Sequence, residues 1–486
     1  MRIRSVKFNF IMNTLLSLSS VIFPLITFPY ISRVLGLVAN GKVAFAGSVV
    51  TYFIMFANLG IPTYGIRACA KVRDNRFKLS TVTQELLILN GVTTLITIIA
   101  FLIAINIIPQ FAEERLLFLV SGLGIILNSL TVSWLYNALE QYSYITLCSV
   151  GFKIIGIVMM FTMVHNPKDY VIYGFISTIA SFGSGVLNFI NLRRYVTLTK
   201  FETYHIRQHI KPALTFFAMV AATSVYVNLD IVMLRFMKSN ADVGYYNAAI
   251  KIKTVLTQVV TALGTVLMPR LSYYIAQENV IAFRRMVAKA LNFVLVGAGS
   301  LSLFFLLYAK DSILLLSGKE FLGSVLPMQL LMPTVLLIGI SNVTGVQVLT
   351  PTGREKAVLS SVTAGAVLNL TLNSILIPRY ASVGAAFSTL LAEVLVVVIQ
   401  SIYLKDVILS IFRQVEIIKI SVALVLSGIV GFGIKVIFHL SPFFSLLVGG
   451  ISFYVVYGVV LIIFREGFCM EIFDMIKKSG KRKGNG

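Results

Sequence analysis

Charge is scarce in this chain, and acidic charge scarcer still: 12% of its 486 residues are charged, and only 19 are Asp or Glu. A soluble globular domain carries about a quarter charged residues, so a water-soluble fold is excluded. Long polar stretches are also missing. Apolar runs of about 20 residues recur from end to end, each enough to cross roughly 30 Å of hydrocarbon, and this excludes one large buried core. The three cysteines, Cys69, Cys148 and Cys469, stand too far apart for a metal knuckle or a CxxC motif, which excludes a disulfide or zinc scaffold. The four histidines, His165, His205, His209 and His439, fall in loops or at span ends. His205 and His209 have the spacing of helical ligands but no third ligand, and read as surface residues. With no P-loop and no carboxylate pair on one aqueous side, the chain is expected not to be an enzyme.

What is present is apolar: 57% of residues are hydrophobic and the mean hydropathy is +0.90. Backbone groups in lipid must be satisfied within the segment, and the alternation is too weak for a barrel, so the fold class is all-α. About fourteen transmembrane helices are expected, the first over 8–30 and the last over 442–464. The basic residues from Met1 to Lys7 precede an apolar stretch without a small-residue cleavage site, which reads as an uncleaved first span. The formal charge of +22 could suggest nucleic acid, but its placement points elsewhere. Arg67, Lys71, Arg73, Arg76 and Lys78 share one loop, and Arg193, Arg194, Lys200, Arg207 and Lys211 another. A further group, Lys477, Lys478, Lys481, Arg482 and Lys483, forms the tail. The positive-inside rule then places both termini in the cytoplasm, and topology and anionic lipid account for the charge without a nucleic-acid partner.

An internal repeat divides the chain. Ile31-Ser-Arg-Val-Leu-Gly-Leu-Val-Ala-Asn-Gly41, leaving the first span, resembles Val232-Met-Leu-Arg-Phe-Met-Lys-Ser-Asn-Ala-Asp-Val-Gly244, leaving the seventh. Leu135-Tyr-Asn-Ala-Leu-Glu-Gln-Tyr-Ser lines up with Leu349-Thr-Pro-Thr-Gly-Arg-Glu-Lys-Ala, again six spans on. An even offset gives both copies one orientation, as in transporters built from parallel repeats. The expected organisation is an N-terminal lobe over 1–200, a C-terminal lobe over 201–410, and a final segment, 411–486, with two more spans and the basic tail.

Ionisable groups inside spans are expensive and so mark function. They are Lys153, Asp230, Arg235, Lys251, Lys253, Glu393 and Lys435, with Arg33 joining them as the repeat partner of Arg235. Lys153, near the middle of its span, must meet a watery cavity or a counter-charge. An ion pair with Glu140 or Glu393 is the structural alternative. Asp230 and Lys251, at similar depth on consecutive spans, read either as a buried pair or as a coupling site. Lys251 and Lys253 are two apart on a helix, so only one of them faces a given cavity, and Lys251 is the expected one. Asn and Gln are abundant in the spans and either bond helix to helix or line a sugar-binding cavity. The pairs Pro24/Pro29 and Pro327/Pro333 are expected to bend their helices.

Phe28-Pro-Tyr-Ile-Ser-Arg-Val-Leu-Gly36, Gly41 and Leu59-Gly-Ile-Pro-Thr-Tyr-Gly-Ile-Arg67 resemble the Wzx-type polysaccharide flippases. The resemblance continues through Asp230, Val243-Gly-Tyr-Tyr-Asn-Ala-Ala-Ile-Lys251, Met268-Pro-Arg270, Asn369, Ile377-Pro378, Gly384-Ala-Ala386 and Glu393. It implies the fold of the multidrug and oligosaccharidyl-lipid exporter superfamily, two six-helix lobes around a central cavity. It also implies a task in the bacterial cytoplasmic membrane: moving an undecaprenyl-pyrophosphate-linked oligosaccharide to the outer leaflet for capsule, O-antigen or exopolysaccharide. Arg33, Arg67, Lys153 and Lys251 are then the expected phosphate partners, with Asp230 and Glu393 for ion coupling or structure. The expected partners are the lipid-linked saccharide, membrane lipid and a polysaccharide polymerase. No cofactor is expected, and coupling to an H+ or Na+ gradient stays open. A cation-coupled drug exporter of the same superfamily would favour acidic cavity residues, and a membrane polymerase would need a long outer loop.

Overall fold

The computed structural model describes residues 6–197, 203–405, 415–467 and 469–470. Among them every regular element is helical and there is no strand, as a backbone surrounded by lipid requires. The basic tail, Lys477 to Lys483, lies outside the described residues, as does Lys200. The chain forms two compact units, one ending at Gly244 and the other starting at Tyr245.

The first unit is built from α1 (Val6–Asn58), α2 (Ile61–Ala70), α3 (Arg76–Ile107), α4 (Pro109–Ala112), α5 (Arg115–Ser129) and α6 (Ser133–Ala138). It continues with α7 (Tyr142–Met163), α8 (Tyr170–Phe182), α9 (Ser184–Asn191) and α10 (Arg207–Met237). If straight, the 53 residues of α1 would extend about 80 Å at a rise of 1.5 Å each, more than twice the hydrocarbon thickness. The helix is instead interrupted at Gly36, whose φ of 72° and ψ of −175° suit a residue without Cβ. Asn40 Nδ2 bridges the break, donating to the carbonyls of Gly36 at 2.9 Å and Ile31 at 3.3 Å. Pro24 and Pro29 lie inside α1 with helical φ/ψ, since a fixed φ near −65° is itself helical, and the break in helical φ/ψ falls at Gly36.

α1 is the hub of its unit, packing on α3, α5, α7 and α10. Lipid is as apolar as leucine, so close packing and polar bonds must hold such helices together. On α3, Val92, Leu95, Ile96, Ile99, Leu102 and Ile103 keep their side chains outward. The two repeat glycines lie at a close crossing of backbone on backbone. A Cβ on Gly41 would fall 1.8 Å from the Asn240 carbonyl oxygen, and one on Gly244 would fall 2.4 Å from that of Leu37.

α11 (Asn240–Ala276) runs across the division between the units. The second unit then contains α12 (Val280–Leu307), α13 (Ala309–Leu316), α14 (Val325–Ser341), a π-helical segment Asn342–Leu349, α15 (Glu355–Tyr403), α16 (Ile417–Ile437) and α17 (Pro442–Ile463). α15 folds back on itself at Ala381, where φ is 48° and ψ −126°. Its two halves lie side by side, with Gln400 Nε2 donating to Ser361 Oγ at 3.2 Å. α16 and α17 pack on each other, and α16 also packs on α12. Tyr308 Oη donates to the Gly431 carbonyl at 2.7 Å, and Tyr457 Oη to that of Val296 at 3.1 Å. Lys435, one of the span cations, belongs to this joint: its Nζ donates to the Leu307 carbonyl at 2.6 Å and lies 3.2 Å from Asp311.

Ten helical stretches among the described residues are long and apolar enough to cross a membrane. Two of them, Ile11–Ala70 and Glu355–Tyr403, are long enough for two crossings each. These stretches do not by themselves establish the expected count of fourteen.

Candidate functional site

Lys153 lies near the middle of the 22-residue α7, about three turns from either end, too far for its stem to reach a surface easily. It packs where α7 meets α1 and is half-buried. Its Nζ donates to Ser19 Oγ at 2.8 Å and Ser20 Oγ at 2.9 Å. Both hydroxyls in turn donate to the Leu16 carbonyl, at 2.6 and 3.2 Å, which leaves their lone pairs turned to the ammonium. Among the described residues no carboxylate lies within ion-pair distance of Lys153. Glu140, one of its expected partners, is taken instead by Arg73, whose Nη1 stands 2.8 Å from Glu140 Oε1. That hydrogen bond raises the Arg73 guanidinium above its ordinary pKa.

The remaining expected residues occupy separate places. Arg33 is exposed on α1, three residues before its break, and Arg67 is exposed on the last turn of α2. Asp230 is buried on α10, within electrostatic reach of Tyr52 on α1. Lys251, exposed on α11, and Glu393, buried on α15, belong to the second unit.

Many of the amides hold helices together rather than line open space. Asn58 Nδ2 donates to Asn128 Oδ1 at 2.9 Å, and Asn90 Nδ2 to the Ala57 carbonyl at 3.1 Å. Asn188 Nδ2 reaches the Thr131 carbonyl at 3.0 Å. Between the two halves of α15, Asn369 Nδ2 donates to Thr389 Oγ1 at 3.5 Å, while Asn373 Nδ2 donates within its own half to Asn369 Oδ1 at 3.0 Å.

Two charged clusters escaped the sequence reading. At the end of α3, the turn through α4 presents Glu113 and Glu114 to three other helices. Glu114 takes Lys42 of α1 and the Tyr170 hydroxyl, the latter at 2.8 Å, while Glu113 pairs with Arg235 of α10. Arg235 is thus engaged in an ion pair. The second cluster corrects the view of His209 as a surface residue: it is 4% exposed, and Glu85 is 1% exposed. His209 Nε2 lies 2.8 Å from Glu85 Oε2 and its Nδ1 2.8 Å from Tyr64 Oη. Glu85 also accepts from the His205 backbone N–H at 2.6 Å and from Gln208 Nε2 at 3.3 Å. His205 itself stays exposed. A basic loop sequence hid His209 because its partners lie over a hundred positions earlier in the chain, on α2 and α3.

Over residues 6–275 the sequence matches the polysaccharide biosynthesis protein family. It is 24% identical over 404 residues to the "Putative O-antigen transporter" of Escherichia coli (strain K12), covering 83% of this chain and 97% of that one. A protein of the same name from Shigella dysenteriae is 28% identical over 402 residues, covering 80% and 98%. In fold the chain is similar to the lipid II flippase MurJ in an inward closed conformation, with a TM-score of 0.74 at 15% identity over 94% of this chain and 99% of that one. An inward-facing multidrug resistance MATE family transporter of the MOP superfamily gives a TM-score of 0.55 at 12% identity, covering 80% and 98%. With more than half of its length matched, the chain belongs to the polysaccharide biosynthesis protein family.

Proposed function

We propose that this protein is a flippase for an undecaprenyl-pyrophosphate-linked oligosaccharide, carrying it from the inner to the outer leaflet of the bacterial cytoplasmic membrane. The carrying observation is Lys153: a cation at mid-span held by two hydroxyls rather than a carboxylate. A pyrophosphate bears about two negative charges, and an isolated charge in hydrocarbon costs many kcal/mol, so an uncompensated ammonium at that depth lowers the barrier. Family membership and the O-antigen transporter relatives supply the saccharide side of the reading. A transporter of cationic drugs would place carboxylates where Lys153 stands.

In this reading the two repeat lobes, 1–200 and 201–410, rock about a central cavity with both termini in the cytoplasm. Arg33, Arg67 and Lys251 join Lys153 as phosphate partners. Asp230 and Glu393 serve coupling to an H+ or Na+ gradient, or hold the helices, and the product passes to a polysaccharide polymerase.

The test is the leaflet on which lipid-linked saccharide accumulates. Deletion of the gene, and Lys153→Ala at unchanged protein level, are expected to trap it on the cytoplasmic side, with Lys153→Arg restoring part of the transport. Accumulation outside, or none, overturns the flippase reading. Loss of Lys153→Ala protein from the membrane would make Lys153 a structural residue.

A further inference from the structure

Far from Lys153, at the start of α3, a pocket of about 360 Å³ is lined by Arg73, Asp74, Arg76, Arg194 and Tyr195. Its floor is apolar, formed by the buried Leu79 and Leu139. Three short segments bring the cations together: the turn after α2, the first residue of α3, and the turn after α9. Arg73 spends one N–H on Glu140 and keeps its other donors. Arg76 and Arg194 are exposed, and among the described residues neither has a carboxylate within ion-pair distance. The lining therefore sets three guanidiniums against the single carboxylate of Asp74.

Guanidiniums match the oxygen spacing of a phosphate and bind it through paired N–H groups. Scattered arginines on a cytoplasmic loop need only set topology, but these converge over a concave, floored space. The neighbours of the pocket indicate how a ligand arrives. Phe77, next to Arg76, is 68% exposed, and Ile190, one turn before Arg194, is 64% exposed. Such residues favour acyl chains over water, so the pocket opens where headgroups meet the apolar belt. Asp74 gives the same space an acceptor for hydroxyl groups.

We propose that this pocket binds the phosphodiester headgroup of an anionic, hydroxyl-bearing membrane lipid, at a site separate from the transported substrate. Free phosphate shares the chemistry, and the experiment separates the two. The full-length protein, purified in neutral phosphatidylcholine nanodiscs, is titrated with short-chain phosphatidylglycerol and separately with inorganic phosphate, with binding read by native mass spectrometry. Phosphatidylglycerol is expected to bind at least tenfold more tightly than inorganic phosphate. Arg76→Gln with Arg194→Gln is expected to weaken it tenfold or more. The charge-matched control Lys71→Gln with Arg193→Gln, at the same end but off the lining, should change it less than twofold. Melting temperatures of both double variants in neutral lipid confirm that each remains folded. Equal loss in the two variants would mean diffuse attraction and overturn the pocket, as would binding of neither probe. Equal affinity for the two probes would overturn the lipid assignment.

Discussion

An ammonium whose hydrogens go to neutral hydroxyls retains its charge for another partner, whereas a carboxylate would cancel it. That distinction separates Lys153 from Lys435, which lies against Asp311 and serves the joint between α12, α13 and α16. Their depth in apolar runs makes both legible in the sequence; their partners were not, because a serine pair at positions 19 and 20 looks like any small polar pair in a span. Glu85 was hidden for the same reason, since its donors come from a segment beyond position 200. It accepts from three residues of that segment. Removing the acceptor leaves the buried His209 ring without its carboxylate, at about 1–3 kcal/mol, while the donors from the exposed His205 and Gln208 lie nearer water. Glu85→Ala is therefore expected to lower stability by about 1–3 kcal/mol, and Glu85→Gln, which keeps one carbonyl acceptor, by less. Thermal unfolding in detergent checks this, and equal melting of Glu85→Ala and wild type would refute the burial.

At the scale of helices, the apolar periods were readable but the interruptions were not. Prolines drew the eye, while the breaks fell at Gly36 and Ala381, where the backbone enters positive φ. Alanine tolerates that region poorly, and nothing in its local sequence announces it. The repeat glycines could be read as a pattern but not as a contact, since alignment gives equivalence and not distance. Their crossing makes a sharp prediction. Gly41→Ala places a methyl group against the Asn240 carbonyl, a backbone atom that cannot swing aside, so α1 and the first turn of α11 must part. A loss of about 2 kcal/mol or more and a clear fall in saccharide transport are expected. Gly47→Ala, six residues on, meets nothing within 4 Å and should leave both unchanged. Similar behaviour of the two variants would remove any role for the crossing.

Across the molecule, the two ends of α3 carry different chemistry. Arg76 begins it among arginines, while Ile107 ends it beside the turn that holds Glu113 and Glu114. The positive-inside rule predicts that the arginine end of α3 faces the cytoplasm. A fluorescent reporter that matures only in the cytoplasm, fused to either terminus, is expected to light up. An alkaline phosphatase fused after Glu114 should be active on the far side. Fluorescence from only one end would mean an odd number of crossings and would break the parallel-repeat arrangement. All-α class and membrane residence could be read from composition alone, because lipid permits few alternatives. The contacts that build each unit join distant segments, and apolar periodicity carries no record of those.

The single-residue break at Gly36 has a bearing on biogenesis. Spans on either side of it share one 53-residue helix, so no hydrophilic loop lies between them to be moved across the bilayer on its own. The two parts are expected to enter the membrane together, and a substitution that stiffens residue 36 is expected to act during synthesis, before there is a folded protein to destabilise.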